Sequence, residues 1–164
     1  KTLYGSWAGA FGFFQFMPST MKNYAIDYDD NNYIDLKNNN DAYASAANYL
    51  SKIGWKKQQP CFYKVDLSNK IPKKYLNASA KKLHNKNKLK FFKEYIVNYS
   101  LLDKKFDNLI VAIITPDKDI IPDAENLSPA YVVFENYEII LKWNRSLRFS
   151  LAVCTLKDKF TNEL

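Results

Sequence analysis

Three of the chain's four glycines, Gly5, Gly9 and Gly12, fall in one short aromatic segment between residues 4 and 16. Glycine adopts positive φ values and lets two stretches of backbone approach closely. The segment is therefore predicted to form a constrained turn near a groove. Gln15 lies within it, and a buried glutamine amide beside aromatic rings can hydrogen-bond a sugar or an amide ligand. Taken alone, the pattern favours a structural turn over a ligand contact.

Two helices are predicted after this turn. Pro18 suits the first turn of a helix, and Met17, Met21 and Tyr24 recur on one helical face. A second helix is indicated by apolar residues at helical spacing, namely Tyr43, Ala46, Ala47, Leu50 and Ile53. Gly54 is positioned to end that helix.

The second half of the chain mixes predicted strands and helices. Residues 109–115 form a β-branched run that ends at Pro116, which is typical of a buried strand, and residues 131–134 are its predicted partner. A third helix is indicated by Leu89, Phe92, Tyr95, Ile96 and Tyr99. Ser146 is the predicted N-cap of a last helix. The predicted class is α+β, mostly helical with a small sheet.

The length of 164 residues fits a single domain, with a lysine-rich region of weak periodicity at residues 56–100. A hydrophobic fraction of 47% excludes a disordered chain. No apolar run approaches the roughly 18 residues that a membrane span requires, so no transmembrane segment is predicted.

The charge balance argues against a nucleic-acid partner. The formal net charge of +7 comes from 24 Lys and Arg against 17 Asp and Glu, and the only arginines are Arg145 and Arg148. Proteins that bind nucleic acids usually present arginine forks in a localised patch, whereas these lysines are scattered along the chain. We therefore expect no nucleic-acid binding.

The cysteines and the histidine exclude several kinds of catalytic site. Cys61 and Cys154 can form one bridge, although two free cysteines in the core are favoured, since free cysteine is often buried. His84 is the only histidine and stands in a lysine-rich stretch. That leaves no zinc site and no Ser-His or Cys-His nucleophile pair. Carboxylates remain as the acid-base candidates.

An acidic loop follows the first predicted helix. Positions 1, 3, 5 and 7 of a calcium-binding loop correspond here to Asp27, Asp29, Asn31 and Tyr33. Asn32 at position 6 can adopt the left-handed conformation that glycine usually supplies. Asn38 replaces the expected glutamate at position 12, and Asp41, three residues later, can close a lengthened loop. The alternative is a solvated turn whose asparagines cap the flanking helices.

A polar segment precedes the last helix. Trp143 and Asn144 are followed by Arg145 and Ser146. This arrangement can present polar groups at the edge of a groove. Ser146 as a plain helix cap is the simpler interpretation.

Three ordered blocks resemble the membrane-bound lytic murein transglycosylase B family. The first comprises residues 5–12 (Gly-Ser-Trp-Ala-Gly-Ala-Phe-Gly) and 15–19 (Gln-Phe-Met-Pro-Ser). The second comprises residues 24–29, the acidic loop, and residues 41–42, 46–50 and 54–55. The third comprises residues 136–140, 143–146 and 152–153. The blocks cover about half of the chain, and residues 56–100 diverge from the family.

The resemblance implies a lysozyme-like fold and cleavage of peptidoglycan between N-acetylmuramic acid and N-acetylglucosamine, with a 1,6-anhydro product. In such enzymes one glutamic acid acts first as general acid and then as base, and substrate groups replace the second carboxylate of an ordinary glycosidase. No cofactor is needed for that chemistry. The resemblance also implies a structural calcium ion in an EF-hand-like loop, with Asp27, Asp29, Asn31, the Tyr33 carbonyl and Asp41 as ligands.

The resemblance implies that the catalytic glutamate lies before the first block. None of the five glutamates occupies a family catalytic position; they are Glu94, Glu125, Glu135, Glu138 and Glu163. We therefore expect the chain to be the C-terminal part of a transglycosylase domain and to be inactive alone. An upstream segment or a separate chain would supply the acid.

Residues for the remainder of the groove are also implied by the resemblance. The residues expected to contact the saccharide are Ser6, Gln15, Tyr49, Trp143, Asn144 and Phe149. Trp143 and Phe149 stand where the family has tyrosines, so stacking surface is kept while two hydroxyl groups are lost.

Two alternatives remain. The first is a non-catalytic peptidoglycan-binding remnant with a calcium loop, and the second is a basic module that binds polyanions nonspecifically. The family implies the periplasm or the cell envelope as location and peptidoglycan glycan strands as partner.

Overall fold

The computed structural model of the chain describes residues 5–117 and 127–163. It divides into two compact units, Lys1–Trp55 and Lys56–Leu164. Each unit is described by itself below. The expected single domain stays a prediction.

The first unit is helical. Helix α1 spans Pro18–Tyr24 and begins at the predicted proline. Helix α2 spans Asn39–Lys52, and the side chain of Asn38 caps it by accepting a hydrogen bond from Asn40 N. Gly54 follows the C-cap with a φ of 107°. A non-glycine residue would be strained there, so the predicted stop is confirmed.

The second unit is built on a small mixed sheet. Its strands are β1 (Phe62–Val65), β2 (Leu76–Asn77), β3 (Asn87–Lys88), β4 (Ile110–Ile114) and β5 (Ala130–Val133). The order is β1-β5-β4-β2, and β3 also pairs with β4. Strand β2 runs parallel to β4, whereas β5 is antiparallel to both β1 and β4. The two predicted strands are confirmed as the centre of this sheet.

Strands β4 and β5 carry the core of the second unit. Val111, Ile113 and Val132 are fully buried, and they form one cluster with Phe92 and Phe134. Strand β4 is apolar on successive residues because both of its faces are covered.

Two helices complete the second unit. Helix α3 spans Glu135–Trp143 and buries one face. Helix α4 spans Leu147–Glu163. The hydroxyl of Ser146 accepts a hydrogen bond from Phe149 N at 3.2 Å, which confirms the predicted N-cap. Among the helices in the described part of the chain, none has the length and apolarity needed to cross a bilayer.

The third helix predicted from Leu89 to Tyr99 is wrong. The segment instead contains 3-10 turns at Leu89–Phe92 and Tyr99–Leu101. Between these two turns, Ile96 pairs with Leu67 in an isolated antiparallel β-bridge. The apolar side chains still point into the core, so their spacing reflects burial and not an α-helix.

The preference for free cysteines is also wrong. Cys61 and Cys154 are both fully buried and form a disulfide whose Cα atoms are 5.9 Å apart. Cys61 directly precedes β1, and Cys154 lies in α4. The fold therefore brings together two residues separated by 93 positions in the sequence.

Candidate functional site

The glycine-aromatic segment of the first unit is a tight two-sided turn. Phe11 and Phe16 exchange backbone hydrogen bonds of 2.9 and 2.8 Å. Gly9 and Gly12 have φ values of 78° and 75°, in the left-handed region that favours glycine. The predicted constrained turn is confirmed.

Gly12 also serves a close backbone approach. A Cβ atom at this position would lie 2.5 Å from Leu36 Cβ and 2.7 Å from Leu36 O. The neighbouring Phe13 N donates to the same Leu36 carbonyl at 3.0 Å. The turn is therefore held directly against residue 36, and glycine makes that contact possible.

Ser6 and Gln15 are placed at the surface by this turn. The Ser6 hydroxyl accepts a hydrogen bond from Ala10 N at 3.0 Å, and the Ser6 side chain is exposed. The expectation that the Gln15 amide is buried is wrong, because Gln15 is exposed. Its φ is 52°, and its Nε2 folds back to donate to Gly12 O at 2.8 Å. A surface amide of this kind can still hydrogen-bond a ligand.

Tyr49 lies on α2 and is half-buried among aromatic rings. Its ring centroid is 5.8 Å from that of Phe16 and 4.9 Å from that of Tyr24, both in edge-to-face geometry. Burial, followed by the proximity of Tyr24, raises the pKa of the Tyr49 phenol. Tyr49 therefore stays protonated at neutral pH and can act as a hydrogen-bond donor.

Trp143, Asn144 and Phe149 lie at the α3–α4 corner of the second unit. Trp143 is the last residue of α3, and Asn144 caps that helix by donating its backbone N–H to Ile140 O at 3.0 Å. Asn144 is exposed, and Phe149 on α4 retains 39% of its exposure. The side chains of Asn144 and Phe149 are therefore accessible to a ligand, and Trp143 is half-buried.

A buried tyrosine fixes this corner. The hydroxyl of Tyr137 donates to Leu147 O at 2.7 Å, which ties α3 to the first residue of α4. Tyr137 is fully buried, and burial raises the pKa of its phenol. The hydroxyl thus remains a donor throughout the physiological pH range.

The acidic loop brings three carboxylates together. Oxygen atoms of Asp27, Asp29 and Asp41 all lie within 4.8 Å of one another. Asn32, at loop position 6, has a φ of 65°, as the sequence predicted. The Asn31 side chain accepts a hydrogen bond from the backbone N–H of Tyr33 at 2.8 Å. The loop thus adopts a compact turn with clustered oxygens.

Asp41 anchors the loop to α2. It is fully buried, and its two carboxylate oxygens accept hydrogen bonds from Asp35 N at 2.8 Å and Tyr28 N at 2.9 Å. These bonds lower the pKa of Asp41, whereas desolvation and then the Asp41 charge raise the pKa of Asp29. An all-oxygen donor set with crowded negative charge fits a hard divalent cation such as Ca²⁺.

The described glutamate side chains do not resemble a general acid. Glu94 and Glu135 are exposed. Glu138 accepts two hydrogen bonds from Lys86 Nζ at 2.8 and 2.9 Å. A general-acid glutamate needs an apolar pocket that keeps it protonated, whereas Glu138 lies against the ammonium group of Lys86. Glu125 and the side chain of Glu163 lie outside the described part.

Three buried or half-buried polar residues hold the candidate regions in place, and sequence reasoning missed their roles. Asn48 Nδ2 donates to Tyr24 O at 2.8 Å, and the Ser45 hydroxyl accepts from Ile26 N at 3.0 Å. These bonds join α2 to the segment that leads into the acidic loop. In the second unit, buried Asn136 bonds the backbone of residues 56 and 59. In the sequence, a polar residue within an otherwise apolar helix face could have indicated a buried side chain that bonds to backbone.

Comparison with known proteins gives consistent matches. The sequence model described as the transglycosylase SLT domain matches residues 1–158. Membrane-bound lytic murein transglycosylase B of Escherichia coli (strain K12) is 49% identical over 55 residues, which are 34% of this chain and 15% of that protein.

Two solved structures are also similar. SltB3 from Pseudomonas aeruginosa, in complex with NAG-NAM-pentapeptide, matches with a TM-score of 0.79 and 32% identity, over 97% of this chain and 40% of SltB3. The Escherichia coli lytic transglycosylase Slt35, in complex with calcium, matches with a TM-score of 0.69 and 22% identity, over 94% of this chain and 45% of Slt35. The chain thus spans less than half the length of these relatives.

Proposed function

This chain belongs to the transglycosylase SLT domain family, and from that membership we propose that it binds and cleaves the glycan strands of peptidoglycan as part of a lytic transglycosylase. The observation that carries the proposal is the match to SltB3 over 97% of the chain, because SltB3 was solved with NAG-NAM-pentapeptide. The expected reaction is cleavage at N-acetylmuramic acid with a 1,6-anhydro product.

Residues proposed to contact saccharide are present in each unit, and each unit is taken by itself. In the first unit, Ser6 and Gln15 supply exposed polar groups and Tyr49 a protonated phenol. In the second unit, Trp143 and Phe149 supply aromatic surface. Their accessibility and their chemistry support this assignment, since sugars are bound by hydrogen bonds and by apolar contact with rings.

Asn144 completes the proposed set. Its side chain is exposed at the end of α3, where its backbone is fixed as the helix cap. A carboxamide held in this way can donate to and accept from sugar hydroxyl groups.

The general acid is proposed to come from a further segment, because the described glutamates of this chain do not suit that role. Protonation of the leaving oxygen needs a carboxylic acid with a raised pKa. Glu94 and Glu135 are exposed and Glu138 is paired with Lys86, so none of the three is enclosed by apolar groups as such an acid must be. On this proposal the chain retains glycan contacts but needs a further segment, in cis or as a separate chain, for cleavage.

We expect the 164-residue chain to co-sediment with purified peptidoglycan and to release no anhydro-muropeptides detectable by mass spectrometry. Trp143→Ala should weaken co-sedimentation roughly two- to twelve-fold, since an aromatic contact contributes about 0.5–1.5 kcal/mol. Phe160→Ala is the matched control, because Phe160 is an exposed aromatic residue of α4 outside the proposed contact.

Two results would contradict the proposal in different ways. Release of anhydro-muropeptides by the chain alone would mean that one of its own carboxylates is the acid. Failure of the chain to co-sediment with peptidoglycan would refute the proposed saccharide binding. Adding a glutamate-bearing segment distinguishes an enzyme from a non-catalytic binding module. Cleavage of peptidoglycan after the addition supports the enzyme, and retention on peptidoglycan without cleavage supports the binding module.

We also propose that the acidic loop binds a structural calcium ion. Asp27, Asp29 and Asp41 would supply carboxylate oxygens, with Asn31 and the Tyr33 carbonyl as further ligands. The clustering within 4.8 Å and the oxygen-only donor set support this assignment. The structure of Slt35 with calcium is a similar case in a relative of the same fold. The ion would cross-link the loop to α2 and has no role in the reaction itself.

Calcium should raise the melting temperature of the chain. At a calcium concentration of 100 times the dissociation constant, the stabilisation is about 2.7 kcal/mol. Asp27→Asn combined with Asp29→Asn should abolish the shift measured by differential scanning calorimetry. Asp66→Asn, at an exposed position outside the loop, should leave it intact. An equal shift in all three proteins would refute the loop as the binding site.

The proposed location is the periplasm or the cell envelope. Peptidoglycan lies there, and the buried disulfide between Cys61 and Cys154 is of a kind that persists in oxidising compartments.

A further inference from the structure

The second unit contains a basic cavity of about 300 Å³. Leu83 and Leu141 line it and are buried, so they provide an apolar floor. Four cationic side chains are exposed around it, namely Lys81, Lys82, Lys142 and Arg145. The lysine pair comes from the segment before β3, Lys142 from the last turn of α3, and Arg145 from the segment between α3 and α4.

The positive charge of this cavity is not compensated within the described structure. Its one carboxylate, Glu138, is already paired with Lys86, whose Nζ lies 2.8 Å from Oε1. The four other cationic groups form no ion pair with any described carboxylate. Within residues 5–117 and 127–163, the cavity therefore presents four cationic groups that have no carboxylate partner.

The cavity suits a carboxylate on an aliphatic stem. A volume near 300 Å³ is at the small end of ligand sites, large enough for one or two amino-acid residues. The apolar floor accommodates the stem, and the guanidinium of Arg145 matches a carboxylate in a two-pronged hydrogen bond. A phosphate polymer would use only the positive charges of the cavity and leave its apolar floor without a contact. A short acidic peptide would use both, so it fits the cavity better.

The position in the sequence links this cavity to the glycan. Lys142 and Arg145 flank Trp143 and Asn144, which the proposed function assigns to the saccharide. The ligand of SltB3 is a NAG-NAM unit that carries a pentapeptide, and any such peptide ends in a carboxylate. We propose that the cavity binds a carboxylate of the stem peptide attached to the glycan. The link to the sugar rests on the proposed function.

The test uses calorimetric titration of the 164-residue chain with four probes. These are NAG-NAM-pentapeptide, the same compound with its carboxylates amidated, NAG-NAM without peptide, and the free pentapeptide. We expect the free-acid conjugate to bind about ten-fold more tightly than the amidated one, since two charged contacts are lost on amidation. The pentapeptide alone should bind weakly.

The matched variants are Lys82→Gln with Arg145→Gln in the cavity, and Lys90→Gln with Lys93→Gln outside it. Both pairs remove two exposed positive charges from the second unit. The cavity pair should abolish the preference for the free acid and leave NAG-NAM binding unchanged, whereas the control pair should change neither.

Each outcome has a separate meaning. If free acid and amide bind alike, or if both variant pairs weaken binding equally, the cavity is not a carboxylate site and the attraction is general charge. If NAG-NAM fails to bind while the cavity variant still abolishes pentapeptide binding, the proposed function fails and the cavity assignment stands.

Discussion

Replacing both Cys61 and Cys154 with alanine is expected to lower the free energy of unfolding of this chain by about 2–5 kcal/mol. The disulfide spans a sequence separation of 93 residues, so it restricts a long loop in the unfolded chain. Both sulfurs are buried, between the start of the sheet and helix α4. For a chain of this size, each kcal/mol changes the melting temperature by about 2–4 °C.

The measurement is thermal unfolding with and without a reductant. Dithiothreitol should lower the melting temperature of the unaltered chain to near that of the double alanine variant, and it should not affect the variant. Thiol titration of the unfolded, unreduced chain should find no free thiol. An unaltered chain that is insensitive to the reductant would show that the disulfide contributes nothing to stability.

Gly12→Ala is expected to destabilise the first unit by about 2–5 kcal/mol. The alanine would have to hold a φ of 75°, which costs about 1–2 kcal/mol for a residue with a side chain. Its Cβ would also lie 2.5 Å from Leu36 Cβ, and overpacking of this kind costs about 1–3 kcal/mol more. The turn that carries Gln15 would be displaced, so co-sedimentation with peptidoglycan should fall as well.

The variant Gly9→Ala distinguishes the cost of backbone strain at positive φ from the cost of a steric clash. Gly9 has nearly the same φ, 78°, but a Cβ there meets only Pro18, at 3.6 Å, which is an ordinary contact. It should therefore cost only the 1–2 kcal/mol of backbone strain. Equal destabilisation by the two alanines, measured by urea unfolding, would mean that the approach of Leu36 does not matter.

Local patterns in the sequence were sufficient for several elements. Pro18 and the apolar spacing of the first two helices predicted α1 and α2, and the β-branched run predicted β4. Ser146 was recognised as a cap because its interaction spans only three residues. In each case the decisive physical cause lies within a few residues of the chain.

Features set by tertiary structure could not be predicted in this way. Leu89, Phe92 and Ile96 have helical spacing, yet the bridge from Leu67 to Ile96 depends on residues more than twenty positions apart. The disulfide likewise depends on the order of strands in the sheet. Gln15 was expected to be buried because its neighbours are aromatic, but its φ of 52° turns it to the surface.

The candidate site was predictable only in part. The acidic loop could be identified from alternating oxygen-bearing residues, whereas the proposed saccharide residues rest on family resemblance and stay a prediction. The basic cavity could not, because Lys81 and Lys82 are brought to Lys142 and Arg145 by the fold across some sixty positions. Its lysines look scattered in the sequence and become one cluster in space.

The strand order also dictates when the second unit can be completed during synthesis. Strand β1 pairs with β5, so its residues 62–65 must wait for residues 130–133 to emerge before that edge is filled. Until then β1 exposes an unpaired edge, which is a hazard for aggregation. Residues 62–65 lie within the lysine-rich region at residues 56–100, and lysine side chains oppose pairing at an exposed strand edge. Charge in this region would thus protect the nascent chain before it serves any ligand.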